Sequence, residues 1–192
     1  QIDPFFTLDL SEPSAPRVAG ELKIPGYSGY LQVLDDTHVL GIGRVPGEGW
    51  TWNVQVSLFD VSDVKNPTRT GSYSFDGSIW SSNAEWEHHA VTWMPELGLV
   101  AMPINGARYT EPSPVSGEAS GLVENRSGLA LLHVETHPVA NALPTVRLET
   151  VVPQDAPLRS LRIGDWIYAI SATEILAVSG AFPHSVVEIL DL

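Results

Sequence analysis

The sequence predicts an all-β fold built from repeating four-stranded sheets, and three observations predict it. Apolar runs are short, as strands are, and no window carries a helical period. The 16 Gly and 15 Pro are scattered between those runs as turn residues rather than gathered into a low-complexity stretch. One motif returns along the chain with its internal spacing intact.

The elements follow in order. Phe6-Thr7-Leu8-Asp9-Leu10-Ser11 reads as a strand ending at Asp9, with Pro16 seven and Gly20 eleven residues after the Asp. Asp35-Asp36-Thr37 is a turn leading into the strand His38-Val39-Leu40-Gly41-Ile42. Leu58-Phe59-Asp60-Val61-Ser62-Asp63 repeats the first strand, with Pro67 and Gly71 at the same two distances from Asp60. The repeated residues have an architectural use. Ser11 or Ser62 is expected to bond backbone in the turn, Pro16 or Pro67 to stiffen it, and the Gly to turn the chain into the next blade.

Pro95-Glu96-Leu97-Gly98 is a second turn, before Leu99-Val100-Ala101-Met102. A degraded third copy runs from Leu131-Leu132-His133-Val134-Glu135 to Pro144, with His133 in place of Asp. Gly164-Asp165 then leads into Trp166-Ile167-Tyr168-Ala169-Ile170, and a fourth copy is expected at Val187-Glu188-Ile189-Leu190-Asp191-Leu192.

The copies lie 51, 73 and 58 residues apart. A propeller blade of four strands takes roughly 40–50 residues, and insertions lengthen it. The expectation is one partial β-propeller domain over residues 1–192, of about three four-stranded blades. The Pro-, Ser-, Gly- and Glu-rich stretch at about 105–128 is its exposed loop insertion. A β-sandwich would not require the Asp, Pro and Gly to return at fixed distances. Three intervals are too few to close a ring, which takes typically 4–8 blades. Ring completion by missing upstream blades or by a second copy is therefore expected.

Composition narrows the function. A net charge of −13 repels phosphate backbones, so nucleic acid is not expected as a partner. With no cysteine, disulfides and thiolate metal sites are excluded. No stretch reaches the ~20 apolar residues of a membrane helix. A chain that opens at Gln1 reads as a processed product or as a segment cut from a longer chain.

Asp3-Pro4-Phe5-Phe6-Thr7-Leu8-Asp9-Leu10-Ser11-Glu12-Pro13, with Pro16-Arg17-Val18 and Gly20-Glu21-Leu22-Lys23-Ile24-Pro25-Gly26-Tyr27-Ser28, resembles a known family. It comprises secreted bacterial and archaeal proteins with a C-terminal β-propeller domain distantly related to WD repeats. The resemblance extends through Ser57–Asp63 and Asn66-Pro67, the Glu87-His88-His89-Ala90 stretch, and Arg159-Ser160-Leu161 with Ile163-Gly164-Asp165-Trp166-Ile167-Tyr168. It implies a propeller fold, blades upstream of Asp3, and an extracellular or cell-surface location. It implies no reaction.

Candidate site residues fall into two groups. Glu85-Trp86-Glu87-His88-His89, read as a strand, puts Glu85, Glu87 and His89 on one face and Trp86 and His88 on the other. Two carboxylates and an imidazole suit a divalent metal, so Glu85, Glu87, His88 and His89 are its candidate ligands. The plainer alternative has His88 packed within the blade and the glutamates in water. Trp50 and Trp52, in an expected loop after Pro46-Gly47-Glu48-Gly49, together with Trp86, are candidates to stack on sugars or anchor a protein. Their alternative is ordinary packing between blades. Calcium would draw on Asp35-Asp36, Asp60 with Asp63, or Asp76-Gly77-Ser78, none of which is a full ligand loop. No Gly-x-Ser-x-Gly elbow or phosphate loop is present.

The reading that follows is a non-catalytic extracellular module binding protein or polysaccharide through its loops. Two alternatives stay open. One is a metal-assisted hydrolase or lyase at the propeller centre, using His88, His89, Glu85 or Glu87; the other is a structural cell-surface assembly element.

Overall fold

The computed structural model describes residues 4–110, 122–137, 145–180 and 186–192. These form sixteen strands and three 3-10 turns, with no α-helix among the described residues. β1 (Phe5–Asp9) and β2 (Arg17–Leu22) make a two-stranded sheet. β3 (Tyr27–Val33), β4 (His38–Pro46), β5 (Trp52–Asp60) and β6 (Thr68–Ser74) follow in order as a four-stranded antiparallel sheet. The next sheet has six strands: β7 (Ile79–Ser81), β8 (Thr92–Met94), β9 (Leu99–Thr110), β10 (Leu122–Asn125), β11 (Gly128–Glu135) and β12 (Thr145–Pro153). The last is again four-stranded, from β13 (Pro157–Ile163) through β14 (Trp166–Ser171) and β15 (Glu174–Ser179) to β16 (Val186–Asp191).

The recurring motif is a bulged hairpin. In β1–β2, Thr7 faces Gly20 and Leu8 faces Val18, so Ala19 bulges. In β5–β6, Leu58 faces Gly71 and Phe59 faces Arg69, so Thr70 bulges. In β11–β12, Leu131 faces Thr150 and Leu132 faces Leu148, which puts His133 at the position of Asp9 and Asp60. Each Asp accepts a backbone bond from the Ser two residues on, Asp9 from the Ser11 N–H at 2.9 Å and Asp60 from the Ser62 N–H at 2.8 Å. The Asp side chain makes the turn, then, rather than the Ser hydroxyl expected from the sequence.

Two further expectations are corrected. The fourth copy does not lie at Val187–Leu192. That stretch belongs to the fourth strand β16, and the third-strand position is held by β15, where Ser179 pairs with Trp166 as Asp60 pairs with His38. The β15–β16 register shifts at the same place as the others, between Ala177 and Val178. Gly20 is not a turn residue either. A Cβ there would lie 2.5 Å from the Val64 carbonyl oxygen, and the Thr7 hydroxyl donates to that same carbonyl. The glycine lets one hairpin press against the loop of the next blade.

Face-to-face packing of the sheets makes the core, and the middle sheet is buried on both sides. Val100, Met102 and Ile104 of β9, with Ala130, Leu132 and Val134 of β11, join Leu40, Ile42, Val54, Val56 and Leu58 of the preceding sheet. The alternate residues Leu99, Ala101, Leu129 and Leu131 join Ile167, Ala169, Leu176 and Val178 of the following one. Period-two alternation with both faces apolar is what stacked blades require. The leading hairpin adds Phe5, stacked on Phe59 with ring centroids 4.4 Å apart.

The expected insertion at about 105–128 is partly strand. β9 runs on to Thr110 and pairs with β10, Asn125 facing Ala107. Residues 111–121, Pro144 and Asp3 lie outside the described residues. The first strand of the middle sheet is divided: β7 and β8 both pair with β9, and residues 82–91 loop out between them. The strand expected at Glu85–His89 is instead two 3-10 turns, Asn83–Glu85 and His88–Ala90.

Candidate functional site

The loop 82–91 holds four of the expected ligands, and its local chemistry separates them. Ser82-Asn83-Ala84-Glu85 is a capping box. The Ser82 hydroxyl accepts from the Ala84 N–H at 3.1 Å, and Glu85 Oε1 accepts from the Ser82 N–H at 3.0 Å. That turns Glu85 inward, to 6% exposure. There it binds Arg44 of β4 through two bonds, Nε to Oε2 at 2.6 Å and Nη2 to Oε1 at 2.9 Å. Glu85 is thereby separated from the other candidate metal ligands. Arg44 was not found from the sequence, because its pairing joins positions 41 residues apart. The Ser-x-x-Glu spacing was the available signal for the turn.

Glu87, His88 and His89 come together on the outside of the second turn. Glu87 caps it, accepting from the His89 N–H at 3.0 Å, and its Oε1 lies 2.9 Å from His89 Nδ1 and 3.7 Å from His88 Nδ1. The bond from the His89 backbone and the contact with its ring hold the Glu87 carboxyl below its ordinary pKa, against a small desolvation effect. The two rings lie 3.8 Å apart, and about two-thirds of each His side chain is exposed. His88 is therefore not packed inside the blade. The ligand atoms of all three residues lie within 4.8 Å of one another, so the set could chelate a divalent metal.

The loop sits where three sheets meet at their first strands. Gly29 of β3 lies so close that a Cβ would be 2.5 Å from the Glu85 carbonyl oxygen. On the other side the second turn packs against β13, and the Thr92 hydroxyl donates to the Ser160 carbonyl at 3.0 Å.

Two of the candidate tryptophans, Trp52 and Trp86, adjoin the same ion pair. Trp50 is fully exposed in the turn between β4 and β5, and Trp86 is largely exposed just after Glu85. Trp52 does not lie in a loop: it is the first residue of β5, with its ring 6.1 Å from that of Tyr27. Arg44 Nη1 reaches the Trp52 carbonyl at 3.5 Å, so one guanidinium fastens the hairpin end bearing Trp52 to the turn bearing Trp86.

A second cluster was not singled out as a histidine site in the sequence. Asp35, in the turn between β3 and β4, and His38, the first residue of β4, meet His137, which follows β11, and again the ligand atoms lie within 4.8 Å of one another. The calcium candidates are turn-formers: Asp35, Asp60, Asp63 and Asp76 each accept a backbone N–H two residues on. Among the described residues no helix is long and apolar enough to cross a membrane.

Two uncharacterised archaeal proteins are similar to this chain. One, from Archaeoglobus fulgidus, is 44% identical over 109 residues, which is 57% of this chain and 16% of that protein. The other, from Methanocaldococcus jannaschii, is 35% identical over 109 residues, 57% of this chain and 17% of that protein. The matched segment thus spans about a sixth of either relative. A model of the beta propeller domain matches residues 1–180, in keeping with the stacked, bulged four-stranded sheets, and the chain belongs to that family.

Proposed function

We propose that this chain is a non-catalytic module of a secreted β-propeller, which binds polysaccharide or protein at the cell surface through its exposed aromatic residues. The observation that carries the reading is Trp50, fully exposed at a hairpin tip, with Trp52 and Trp86 fastened on either side of the Arg44–Glu85 pair. An indole held in water has an apolar face to stack on a sugar ring or fill a partner's pocket. The charge of −13 disfavours anionic polymers and favours neutral glycans or basic proteins. The two-stranded β1–β2 sheet supports completion of the ring by upstream blades or a second copy. The resemblance to secreted propeller proteins distantly related to WD repeats supports export.

Electrophoresis through gels containing neutral polysaccharides tests this, with protein partners sought by crosslinking on cells. Retardation or crosslinking that disappears in Trp50→Ala/Trp52→Ala supports the reading. Binding that is indifferent to both substitutions removes it. A metal-assisted hydrolase or lyase is the second reading, favoured by the convergence of Glu87, His88 and His89.

A further inference from the structure

We infer that Asp35, His38 and His137 form a second, separate site, for a divalent ion of the zinc class, and that the ion clasps two neighbouring blades. The donors come from both sides of a blade boundary. Asp35 and His38 belong to the turn that opens β4, and His137 follows β11 of the next sheet.

The geometry is close to what such an ion needs. His38 Nδ1 lies 3.0 Å from Asp35 Oδ1 and 3.1 Å from Oδ2, and His137 Nε2 lies 3.4 Å from Oδ2. Zinc bonds of about 2.0–2.1 Å at tetrahedral angles hold their donors about 3.3 Å apart, close to the separation of the Asp35 carboxylate from each imidazole. The two rings meet edge to face with centroids 5.2 Å apart, as two imidazoles converging on one centre do. Two imidazoles and one carboxylate suit zinc, and would leave calcium, which takes six to eight oxygens, badly served.

The contacts around the donors agree with that. The Thr37 N–H at 2.8 Å and hydroxyl at 3.0 Å fix Asp35 Oδ1, the kind of outer support that orients metal ligands. His38 is 5% exposed, and its Nδ1 faces both Asp35 oxygens and the Thr37 hydroxyl, also at 3.0 Å. An ion in place of the ring proton would hold Asp35, His38 and His137 together.

Asp35 and His137 line a cleft of about 440 Å³ that also contains Trp93, His133 and Glu135.

The test uses the full chain without a histidine tag and carrying His88→Ala/His89→Ala, so that the exposed cluster contributes nothing. After chelator treatment it is titrated with zinc chloride in a calorimeter. One equivalent is expected, with affinity falling at least about tenfold when His137→Ala is added. His137 is exposed, and folding damage is checked by Asp35→Asn, which keeps the shape and must weaken zinc binding as well. Zinc should also raise the thermal midpoint of the parent and not that of the His137→Ala protein. Failure to take up zinc, or uptake unchanged by His137→Ala, overturns the site. Neither result depends on the tryptophan surface.

Discussion

Glu85 and Glu87 stand two residues apart in one loop and live in opposite environments. Glu85 is buried, closes a capping box and neutralises Arg44 from another sheet. Glu87 is exposed, and its side-chain bonds are local to His89. In an extended strand the two would share a face. In 3-10 turns of about three residues each they do not, and the caps decide which carboxylate goes inward. The first therefore joins two blades, while the second stays at the surface, bonded to His89.

The largest expected effect is at the buried member. Glu85→Ala leaves the Arg44 side chain, 20% exposed, without its counter-charge and the Ser82 N–H without its acceptor. Breaking a buried pair from one side costs about 3–5 kcal/mol, and the exposed fraction of Arg44 points to the lower end. Chemical denaturation should show a loss of about 3 kcal/mol. A loss under about 1 kcal/mol would mean that the pair is solvated and the contrast between the two glutamates is false.

A smaller effect is expected where the loop meets β3. Gly29→Ala would put a methyl 2.5 Å from the Glu85 carbonyl oxygen, with backbone on both sides and no flexible side chain to yield. Overpacking of this kind costs about 1–3 kcal/mol. Combining it with Glu85→Ala sharpens the comparison. If the capping box holds the loop against β3, the double variant should lose less than the sum of the two separate losses, because a loosened loop can retreat from the methyl.

What the sequence made legible follows from the range of the physics involved. The hairpin motif could be read because Asp9 with Ser11 and Asp60 with Ser62 are contacts two residues long, and they recur with Pro and Gly at fixed distances. Third strand and fourth strand could not be told apart at the end of the chain, since Val187–Leu192 imitates the apolar run of Leu58–Phe59 while its pairing partner decides its place. In the loop 82–91 the same residues fit a strand or a pair of turns, and only the capping box distinguishes them. Trp50 is exposed in the turn that Pro46, Gly47 and Gly49 announce, while Trp52, expected in the same loop, begins β5. Arg44 with Glu85, and Asp35 with His38 and His137, depend on which sheets lie side by side, and no local pattern carries that information.

The smallest effect is expected at the exposed member, and it is the strictest test of the contrast. His88→Ala/His89→Ala removes two largely exposed rings that hydrogen-bond only within their own turn. The turn keeps its Glu87 cap, since that bond is made by the His89 backbone N–H and survives the substitution. The denaturation midpoint should therefore stay where it is, while any divalent ion held by Glu87 with these rings is lost, as elemental analysis would read. A clear fall in the midpoint would show that the imidazoles brace the loop. In that event Glu87, like Glu85, would belong to the architecture, and the free ligand set at the meeting of the three sheets would have to be given up.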